Sequence, residues 1–439
     1  MVQDLSNTPK KLVLALIAGL TIREVLAPFT GHPFDLELWL RVGYYVSRGT
    51  DPYSVTAPIP GLSFPGAQDM TWIGYPPTWA FFQAGLYKLY SLSGINNRFV
   101  YYFIIKQPMV LADVVISYLL FRLISDLKNL ESGVRAFAFW MLCPFTIIIS
   151  SIWGMFDQMI LVLVLGSLVA IKETQKSALM QSVGFLLKVL PLIYVPLMAF
   201  VQGSRQKIVT YLAVFVGTSV LFALLPYLFF PNWKVSQLAG VGLDVINKLG
   251  GSMNYWVILL VYGSYWKVPP TMERLLNDLA FAWIPAVLIA SAFCVISVRA
   301  RNNLIRNLCL STLFITLVFF LTKSIVNEQY LIYFLGVGLV DYYVLESKQR
   351  QKLFHLIWIT VLIFLAANNT YFTRFLEPLS IYWKNLDTML ESGGYGEIRL
   401  GIMLVNGLLF TALTGFYLVS LYGDLKKIRE LPRVQLNNR

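Results

Sequence analysis

The stretch KKLVLALIAGLTIREVLAP, residues 10–28, decides the fold class of this 439-residue chain. Its apolar residues are continuous and do not alternate with polar ones, which favours a helix over a strand of a membrane barrel. Helices and closed barrels are the two kinds of backbone that satisfy their own hydrogen bonds in lipid. The run contains Arg23 and Glu24 and has no small-residue cleavage site, so we interpret it as a retained first span and not as a signal peptide.

Apolar runs continue along the chain, of which 57% is hydrophobic and only 13% is charged. This is more apolar sequence than a soluble core of the same length can use. The three cysteines, Cys143, Cys294 and Cys309, lie inside apolar runs without the spacing of a zinc site or a disulfide framework. The sequence therefore predicts an all-α, polytopic membrane protein in which residues 1–439 form a single integral membrane domain.

The formal net charge of +12 comes from short basic clusters between apolar runs and not from one basic face, which argues against nucleic acid binding. Lys and Arg clusters of this kind mark cytoplasmic loops. We place all seven clusters in the cytoplasm, which puts both termini there as well. The clusters are Lys10/Lys11, 122–135, 172–176, 205–207, 299–306, 348–352 and 426–433.

This orientation predicts roughly 11–13 transmembrane helices and a large external loop over residues 29–99. The loop is expected to carry amphipathic helices, one over residues 35–47 and one over 75–92, the second lying in the outer leaflet. Residues 177–202 lie between two cytoplasmic clusters and are too few for two full crossings of roughly 20 residues each. We therefore predict a broken, re-entrant helix pair there, interrupted near the prolines of LKVLPLIYVP.

Acidic and basic residues border the predicted external ends of the spans. Charges near lipid are costly and usually face a cavity or a partner. The mixture of signs argues against an ion pore lined by one sign and is typical of a site that holds an anionic lipid headgroup beside a proton acceptor. The candidates are Asp35, Glu37, Lys88, Arg98, Lys106, Asp113, Asp157, Lys188, Lys323, Glu328 and Arg374.

Several of these residues also have a structural explanation. Asp35 could simply begin a helix, where the helix dipole favours an acid, and Asp157 could cap one. Glu37 projects from a different face of its helix than Asp35 and could be solvated. Lys106 and Asp113, seven residues apart on one helical face, are expected to form a structural ion pair.

The remaining candidates carry similar alternatives. Lys188 lies next to the predicted helix break, where it could bind an anion or extend to water. Glu328 and Gln329 open a span and could serve the start of that helix. His32 is a single loop histidine and weak evidence by itself. Asn368 begins an N-x-T sequon in a predicted external loop, which agrees with the topology.

Six short motifs occur in an order that resembles the GT-C superfamily of polyprenyl-phosphate-sugar-dependent glycosyltransferases. FDLELW (34–39) resembles the acidic motif after the first span, RGTDPYS (48–54) the following turn, and YPP (75–77) the third element. The similarity is greatest to the group of mannosyltransferases like the first glycosylphosphatidylinositol mannosyltransferase and its archaeal and bacterial counterparts. The further motifs are KQPMVLAD (106–113), LKVLPLIY (187–194) and VNEQYLIYFL (326–335).

The chain departs from this pattern in two places. Asp35 and Glu37 form a DxE sequence where the family has a DxD-type motif. The interval between the turn and YPP, residues 55–74, is longer than expected and could contribute to a different acceptor site. The acid that ends WGMFD (153–157) also resembles the lipid-linked glucosyltransferases of asparagine-linked glycosylation.

The resemblance implies an inverting membrane glycosyltransferase of glycolipid biosynthesis. It would move a hexose, with mannose the expected sugar, from a polyprenyl or dolichyl phosphate to a lipid-linked glycan or glycolipid on the external face. Asp35 is the expected base and Glu37 the second catalytic candidate. Basic residues suffice for a lipid monophosphate, although the paired acids leave a divalent metal open. The expected substrate-binding residues are Tyr75, Lys106, Asp157, Lys188, Glu328 and Gln329.

A transporter or flippase of a lipid-linked or anionic substrate is the main alternative, because broken helices and buried charges are also transporter features. The absence of an internal repeat and the position of the charges near one surface argue against it. A noncatalytic subunit of a glycosylation complex is a third possibility. The compact loops and short tails favour a prokaryotic plasma membrane, such as an archaeal one, over the endoplasmic reticulum.

Overall fold

The computed structural model of the protein describes residues 2–51, 53–54, 57–64, 67–70, 74–229, 252–265, 269–298 and 303–430. Within these ranges the chain forms helices, turns and loops and contains no strand. The prediction of an all-α polytopic membrane protein is confirmed. Residues 299–302 and 431–433 of two basic clusters, and positions 55–56, 65–66 and 71–73 of the long interval, lie outside the described residues.

The first half of the chain contains eleven α-helices among the described residues. A π-helix, Ile148–Trp153, continues α6, and a 3-10 helix, Leu190–Tyr194, separates α8 from α9. The helices are α1 (Val2–Leu26), α2 (Pro33–Val46), α3 (Pro77–Ser91), α4 (Arg98–Leu127), α5 (Leu130–Leu142), α6 (Pro144–Ile147), α7 (Asp157–Val169), α8 (Thr174–Leu187), α9 (Val195–Phe200), α10 (Arg205–Leu224) and α11 (Pro226–Phe229).

The second half adds eight α-helices within the described ranges and two 3-10 segments, Glu328–Tyr330 and Thr370–Leu379. The helices are α12 (Val257–Tyr265), α13 (Pro270–Leu279), α14 (Trp283–Val298), α15 (Leu304–Thr322), α16 (Leu331–Val344), α17 (Lys348–Asn368), α18 (Ile381–Glu391) and α19 (Gly393–Glu430).

Among the described residues, five helices are long and apolar enough to cross a membrane, namely α4, α10, α15, α17 and α19. The pair formed by α5 and α6 with its π-helix, bent by 46°, makes a sixth if it is one span. Three shorter apolar segments are α7, Leu190–Phe200 and α14. The count of roughly 11–13 crossings therefore stays a prediction.

The core is centred on α15 and α16. The most apolar window of α15 is 72% buried, whereas that of α10 is only 11% buried. Helix α15 packs against α14, α16 and α19, and α16 is buried from Leu331 to Asp341. The exposed apolar surface of α10 is the kind of surface that faces lipid, whereas α15 and α16 lie in the protein interior.

Helix α2 is more deeply enclosed than its sequence predicted. Pro33 occupies its first turn, where the missing N–H of proline costs nothing. Instead of presenting a polar face, the helix buries Pro33, every residue from 35 to 43, and Val46. Gly43 permits close contact with α3, since a Cβ there would lie 2.8 Å from the carbonyl oxygen of Gln83. Asp35 and Glu37 are therefore buried with α2, and each needs a partner that offsets the loss of water.

The segment from Thr174 to Phe200 consists of three helical pieces. Helix α8 ends at Leu187, and Lys188 has an extended backbone (φ −156°, ψ 137°). The 3-10 turn that contains Pro191 and the short helix α9 follow directly. The chain thus breaks at Lys188 itself, shortly before the proline that indicated the break. The re-entrant course of residues 177–202 stays a prediction.

A buried ion pair joins α1 to α4, and it is not the pair that the spacing predicted. Asp113 pairs with Arg23 (Nε to Oδ2, 2.8 Å) and accepts a hydrogen bond from Trp140 Nε1 at 2.9 Å. The ammonium group of Lys106 instead donates to backbone carbonyls. The predicted pair of Lys106 and Asp113 was therefore wrong, because sequence spacing within α4 could not reveal that Arg23 of another helix lies beside Asp113.

Candidate active site

Asp35 lies in the first turn of α2 with one carboxylate oxygen held by two neighbours. Trp153 Nε1 donates a hydrogen bond to Oδ2 at 2.7 Å. His32 Nδ1 lies 3.0 Å from the same oxygen, although its N–H is not well aligned with it. The side chain of Asp35 remains 11% exposed. A carboxylate that is oriented in this way but still accessible is suited to accept a proton.

The indole of Trp153 reaches Asp35 because of a local distortion of the helix. Trp153 is the last residue of the π-helix, and Gly154 follows with φ +86°. A Cβ at Gly154 would lie 2.8 Å from Cε of Lys106. Only glycine therefore fits both the left-handed backbone and the space. Such π-turns occur frequently at functional sites.

The surroundings of Asp35 favour its charged form. Burial by itself would raise the pKa of this carboxyl group. The charge of the adjacent His32, the indole N–H of Trp153 and the charge of Lys188 outweigh burial and hold the pKa of Asp35 below its ordinary value. Asp35 is consequently ionised at neutral pH, as a proton acceptor must be.

Asp157 and Lys188 form a second charged pair of the site. Lys188 Nζ donates to both carboxylate oxygens of Asp157 at 2.8 Å, and the hydroxyl of Tyr333 donates to Oδ1 at 3.2 Å. The ammonium also lies 4.7 Å from the ring centroid of Tyr330. Asp157 therefore fixes the position of Lys188 at the helix break, and the aromatic face of Tyr330 further stabilises the ammonium group.

Tyr75 lies near both Asp35 and the Lys188–Asp157 pair. Its ring stacks on Trp79 at a centroid distance of 4.6 Å and meets Phe156 edge-on at 5.3 Å. Burial raises the pKa of its hydroxyl well above the ordinary value, and the charges of both Asp35 and Asp157 add to that effect. The structure thus brings together Asp35, Tyr75, Asp157 and Lys188, four residues that the sequence selected separately.

Glu328 borders the same region from the start of α16. It is buried and accepts a hydrogen bond from Asn368 Nδ2 at 2.6 Å. Burial raises its pKa, opposed by that hydrogen bond and by the charges of His32 and Arg374. The adjacent Gln329 is buried, and its Oε1 accepts no hydrogen bond from the described residues. Asn368 of the predicted sequon is therefore engaged in the interior.

Glu37 has different partners from Asp35. Arg41 Nε donates to its Oε1 at 2.7 Å, and the hydroxyl of Ser63 bonds to the same oxygen. The backbone N–H of Phe64 contacts Oε2 at 3.4 Å, and Arg41 also donates to the carbonyl of Gln68 at 2.6 Å. Glu37 and Arg41 thus tie the long interval before YPP to α2, and this geometry supports a structural role in place of the catalytic one.

Lys106 is likewise committed to the backbone. Its Nζ lies 2.9 Å from the carbonyl oxygen of Ala27, 2.5 Å from that of Thr30 and 2.7 Å from that of Ser151. An ammonium group has three N–H donors, and these three acceptors satisfy them. The buried Lys106 therefore joins the end of α1 to the π-helix, which we assign as its role in place of phosphate binding.

The site also contains residues that sequence reasoning missed or undervalued. His32 looked weak alone because its contact with Asp35 depends on the turn before α2. Trp153 and Phe156 belong to WGMFD, where only the acid had drawn attention. Phe375 packs on both His32 and Trp153, at centroid distances of 6.2 and 5.6 Å, and comes from a segment that no motif indicated.

The described residues contain no group of three or more His, Cys, Asp or Glu side chains that could hold a metal ion. The fold and site together define an all-α, multi-pass membrane protein with a partly accessible carboxylate and a lysine–carboxylate pair at one aromatic-lined region.

Comparison with known proteins gives no family assignment. No family model and no curated protein matches the chain. Among solved structures, it is similar to ArnT from Cupriavidus metallidurans, whose crystal structure was determined bound to undecaprenyl phosphate. The match has 13% sequence identity and a TM-score of 0.48, and covers 93% of this chain and 77% of that one. A likeness at this level does not define the activity of this chain.

Proposed function

We propose that the protein is an integral membrane glycosyltransferase that takes a hexose, with mannose the first candidate, from a polyprenyl or dolichyl phosphate. The acceptor would be a lipid-linked glycan or glycolipid on the external face. One observation carries the proposal: Asp35, oriented by Trp153 and still partly accessible, lies close enough to Lys188 to be influenced by its charge, and Lys188 is itself held by both oxygens of Asp157. A proton acceptor beside a cation is what transfer from a lipid phosphate to a hydroxyl requires.

The proposed reaction is one displacement. Asp35 takes the proton of the acceptor hydroxyl while that oxygen forms a bond to the anomeric carbon of the sugar. The bond between this carbon and the phosphate oxygen breaks, and its electron pair leaves with the lipid phosphate. Attack opposite to the leaving group inverts the anomeric centre, and no covalent sugar intermediate on the protein is needed.

Lys188 would stabilise the departing phosphate. Its ammonium group has three donors, of which Asp157 uses two. The third donor is left for a phosphate oxygen, and charge-assisted bonds of this kind are the strong ones. Asp157 would orient the lysine and balance its positive charge. Both residues would lie at the surface of the membrane, where an isoprenoid tail keeps the phosphate.

Tyr75, Glu328 and Gln329 would contact the sugar. The ring of Tyr75 supplies an aromatic face, and the orphaned Oε1 of Gln329 is an acceptor that a sugar hydroxyl could satisfy. Buried polar groups of this kind discriminate strongly between ligands with and without the matching hydroxyl.

The decisive experiment uses the purified full-length protein. It is incubated with polyprenyl-phosphate mannose, or the glucose analogue, and extracted membrane lipids, and lipid masses are followed. We expect a gain of one hexose that Asp35→Asn abolishes and Glu37→Gln reduces much less. Retained turnover in Asp35→Asn would remove Asp35 as the base. Movement of the donor across proteoliposomes without any sugar transfer would support a flippase instead.

A further inference from the structure

His32 is held in a fixed position next to Asp35. Its backbone N–H contacts the carbonyl of Trp153 at 3.4 Å, and the N–H of Gly31 donates to the carbonyl of Phe375 at 2.9 Å. The imidazole ring packs against the rings of both Trp153 and Phe375, at centroid distances of 5.4 and 6.2 Å, and these two rings also contact each other. Its orientation is therefore set from two separate parts of the chain.

The two donors approach only one oxygen of the Asp35 carboxylate. Trp153 Nε1 and His32 Nδ1 both face Oδ2, at 2.7 and 3.0 Å. Oδ1 receives no hydrogen bond from any described residue, and the side chain keeps part of its surface accessible. The arrangement distinguishes two oxygens that would otherwise be equivalent, and leaves Oδ1 as the oxygen without a donor among the described residues.

The backbone that carries Phe375 is strained in a way that the sequence does not announce. Thr370, Tyr371 and Phe372 have φ values of 50°, 57° and 70°, although none of them is glycine. Left-handed conformations of β-branched and aromatic residues cost free energy and persist only where surrounding structure enforces them. Here the turn delivers Phe375 to the His32 and Trp153 rings.

We propose that His32 is a positioning residue for the catalytic base. Together with Trp153 it holds Oδ2 of Asp35, so that Oδ1 alone accepts the proton of the acceptor hydroxyl. The short distance of 3.0 Å between Nδ1 and Oδ2 leaves only a small rotation of the imidazole to align its N–H, and catalytic hydrogen bonds often tighten when substrate binds. This inference rests on the proposed function of Asp35 as base.

The charged groups around the pair determine the expected pH effect. Lys188 acts on Asp35 from the break after α8, and Tyr75 faces it as a neutral hydroxyl. Glu328 faces His32 from the start of α16, and Arg374 lies near Glu328. Removing His32 removes the largest influence that lowers the pKa of Asp35, while burial, which raises it, remains. The pKa of Asp35 should therefore rise.

The kinetic test compares His32→Phe with His32→Asn, whose amide nitrogen can take the place of imidazole Nδ1. We expect His32→Phe to lose about 10- to 100-fold in kcat with little change in the KM for the donor, and to move the acid limb of kcat/KM to higher pH. His32→Asn should recover most of the rate. His355→Asn, at the other histidine of the chain, is the matched control and should behave as wild type.

Two results would overturn the proposal. The first is a His32→Phe variant with the wild-type acid limb and rate. The second is a His32→Asn variant as impaired as His32→Phe. A purely structural role would lower the amount of folded protein in both variants without moving the pH profile.

A second measurement does not depend on sugar transfer. The chain has two histidines, so labelling with histidine that carries 15N at Nδ1 alone yields two imidazole signals, which His355→Asn assigns. We expect the Nδ1 proton of His32 to exchange slowly with water in the wild type and to exchange rapidly in Asp35→Asn. Equal exchange in both proteins would refute the contact itself. If this contact is present and no hexose is transferred, the proposed function is wrong although His32 and Asp35 are in contact.

Discussion

At the scale of single residues, Asp35 and Asp157 differ in the groups that contact their carboxylates. Asp35 is held by an indole and an imidazole, both of which leave one oxygen open. Asp157 is bonded through both oxygens to Lys188. The first environment preserves a proton acceptor and the second presents a cation. The difference in role between two similar side chains follows from these partners.

Replacing Lys188 should separate donor binding from the acid–base step. We expect Lys188→Met to raise the KM for the polyprenyl-phosphate donor about 10- to 100-fold, the equivalent of one charged hydrogen bond. Lys188→Arg keeps the charge and should retain more affinity. Donor binding and thermal unfolding are measured for both variants. Unchanged donor binding in a folded Lys188→Met protein would rule out phosphate binding by Lys188.

Glu377 gives a pH effect on stability that is separate from activity. Burial and the nearby Asp387 raise its pKa to about 7, against the charges of Arg374 and Lys384. Because the folded state binds this proton more tightly, the contribution to stability is full below the ordinary pKa of 4.5 and is lost as pH rises through about 7. Glu377→Gln should flatten the pH dependence of the unfolding temperature over this window, whereas Glu397→Gln, on an exposed residue, should not. Parallel curves for wild type and Glu377→Gln would contradict this.

At the scale of elements, the site is assembled where regular helices are interrupted. The π-helix places Trp153, the break after α8 places Lys188, and the left-handed turn at residues 370–372 leads to Phe375. Each interruption turns a side chain away from the direction that a continuous helix would give it. The side chains of the candidate site are therefore positioned by helix ends and not by the apolar middle parts of the helices.

Gly154 tests this dependence on a helix end. Gly154→Ala introduces both a left-handed alanine and a close contact with Lys106, and should cost about 1–3 kcal/mol while displacing Trp153 from Asp35. Gly393→Ala is the matched control, because Gly393 has φ +57° and open space around its Cβ position. Unfolding temperature and sugar transfer are measured for both. Equal behaviour of the two variants would show that contact with Lys106 is unimportant.

At the scale of the whole molecule, buried polar contacts connect helices that are distant in sequence. Arg23 of α1 bonds to Asp113 of α4, to Thr146 of α6, to Ser150 of the π-helix and to the carbonyl of Met141. A fully buried guanidinium needs this many acceptors to offset the loss of water. The first helix is thus attached to the element that carries Trp153.

Removing Arg23 should consequently destabilise the protein. We expect Arg23→Met to cost about 3–5 kcal/mol, because it leaves the carboxylate of Asp113 buried without its cation. The double variant Arg23→Met, Asp113→Asn should recover part of that loss. Lys128→Met, in the exposed Lys128–Glu346 pair, should cost only about 0–1 kcal/mol. Unfolding in detergent provides the measurement, and equal losses at the buried and exposed pairs would disprove the argument.

The sequence by itself determined the all-α membrane class, since uninterrupted apolar runs leave the backbone few other solutions. It also singled out Asp35, Asp157 and Lys188, because charges at the ends of apolar runs stand out from their surroundings, whereas Tyr75 was selected through the resemblance of the YPP motif. It did not determine partners. The spacing of Lys106 and Asp113 predicted a pair within α4, yet the nearest countercharge to Asp113 came from α1.

Only the tertiary structure decided which acid stays partly accessible and which is bound to a neighbouring segment of the chain. Glu37 is two residues from Asp35, but it turns to Arg41 and the chain near Ser63, whereas Asp35 turns to Trp153 and His32. Two of these contacts are long-range, since Glu37 and Ser63 are 26 positions apart and Asp35 and Trp153 are 118 positions apart. Periodicity describes one helix at a time, so partners across such distances are set only when the helices pack together.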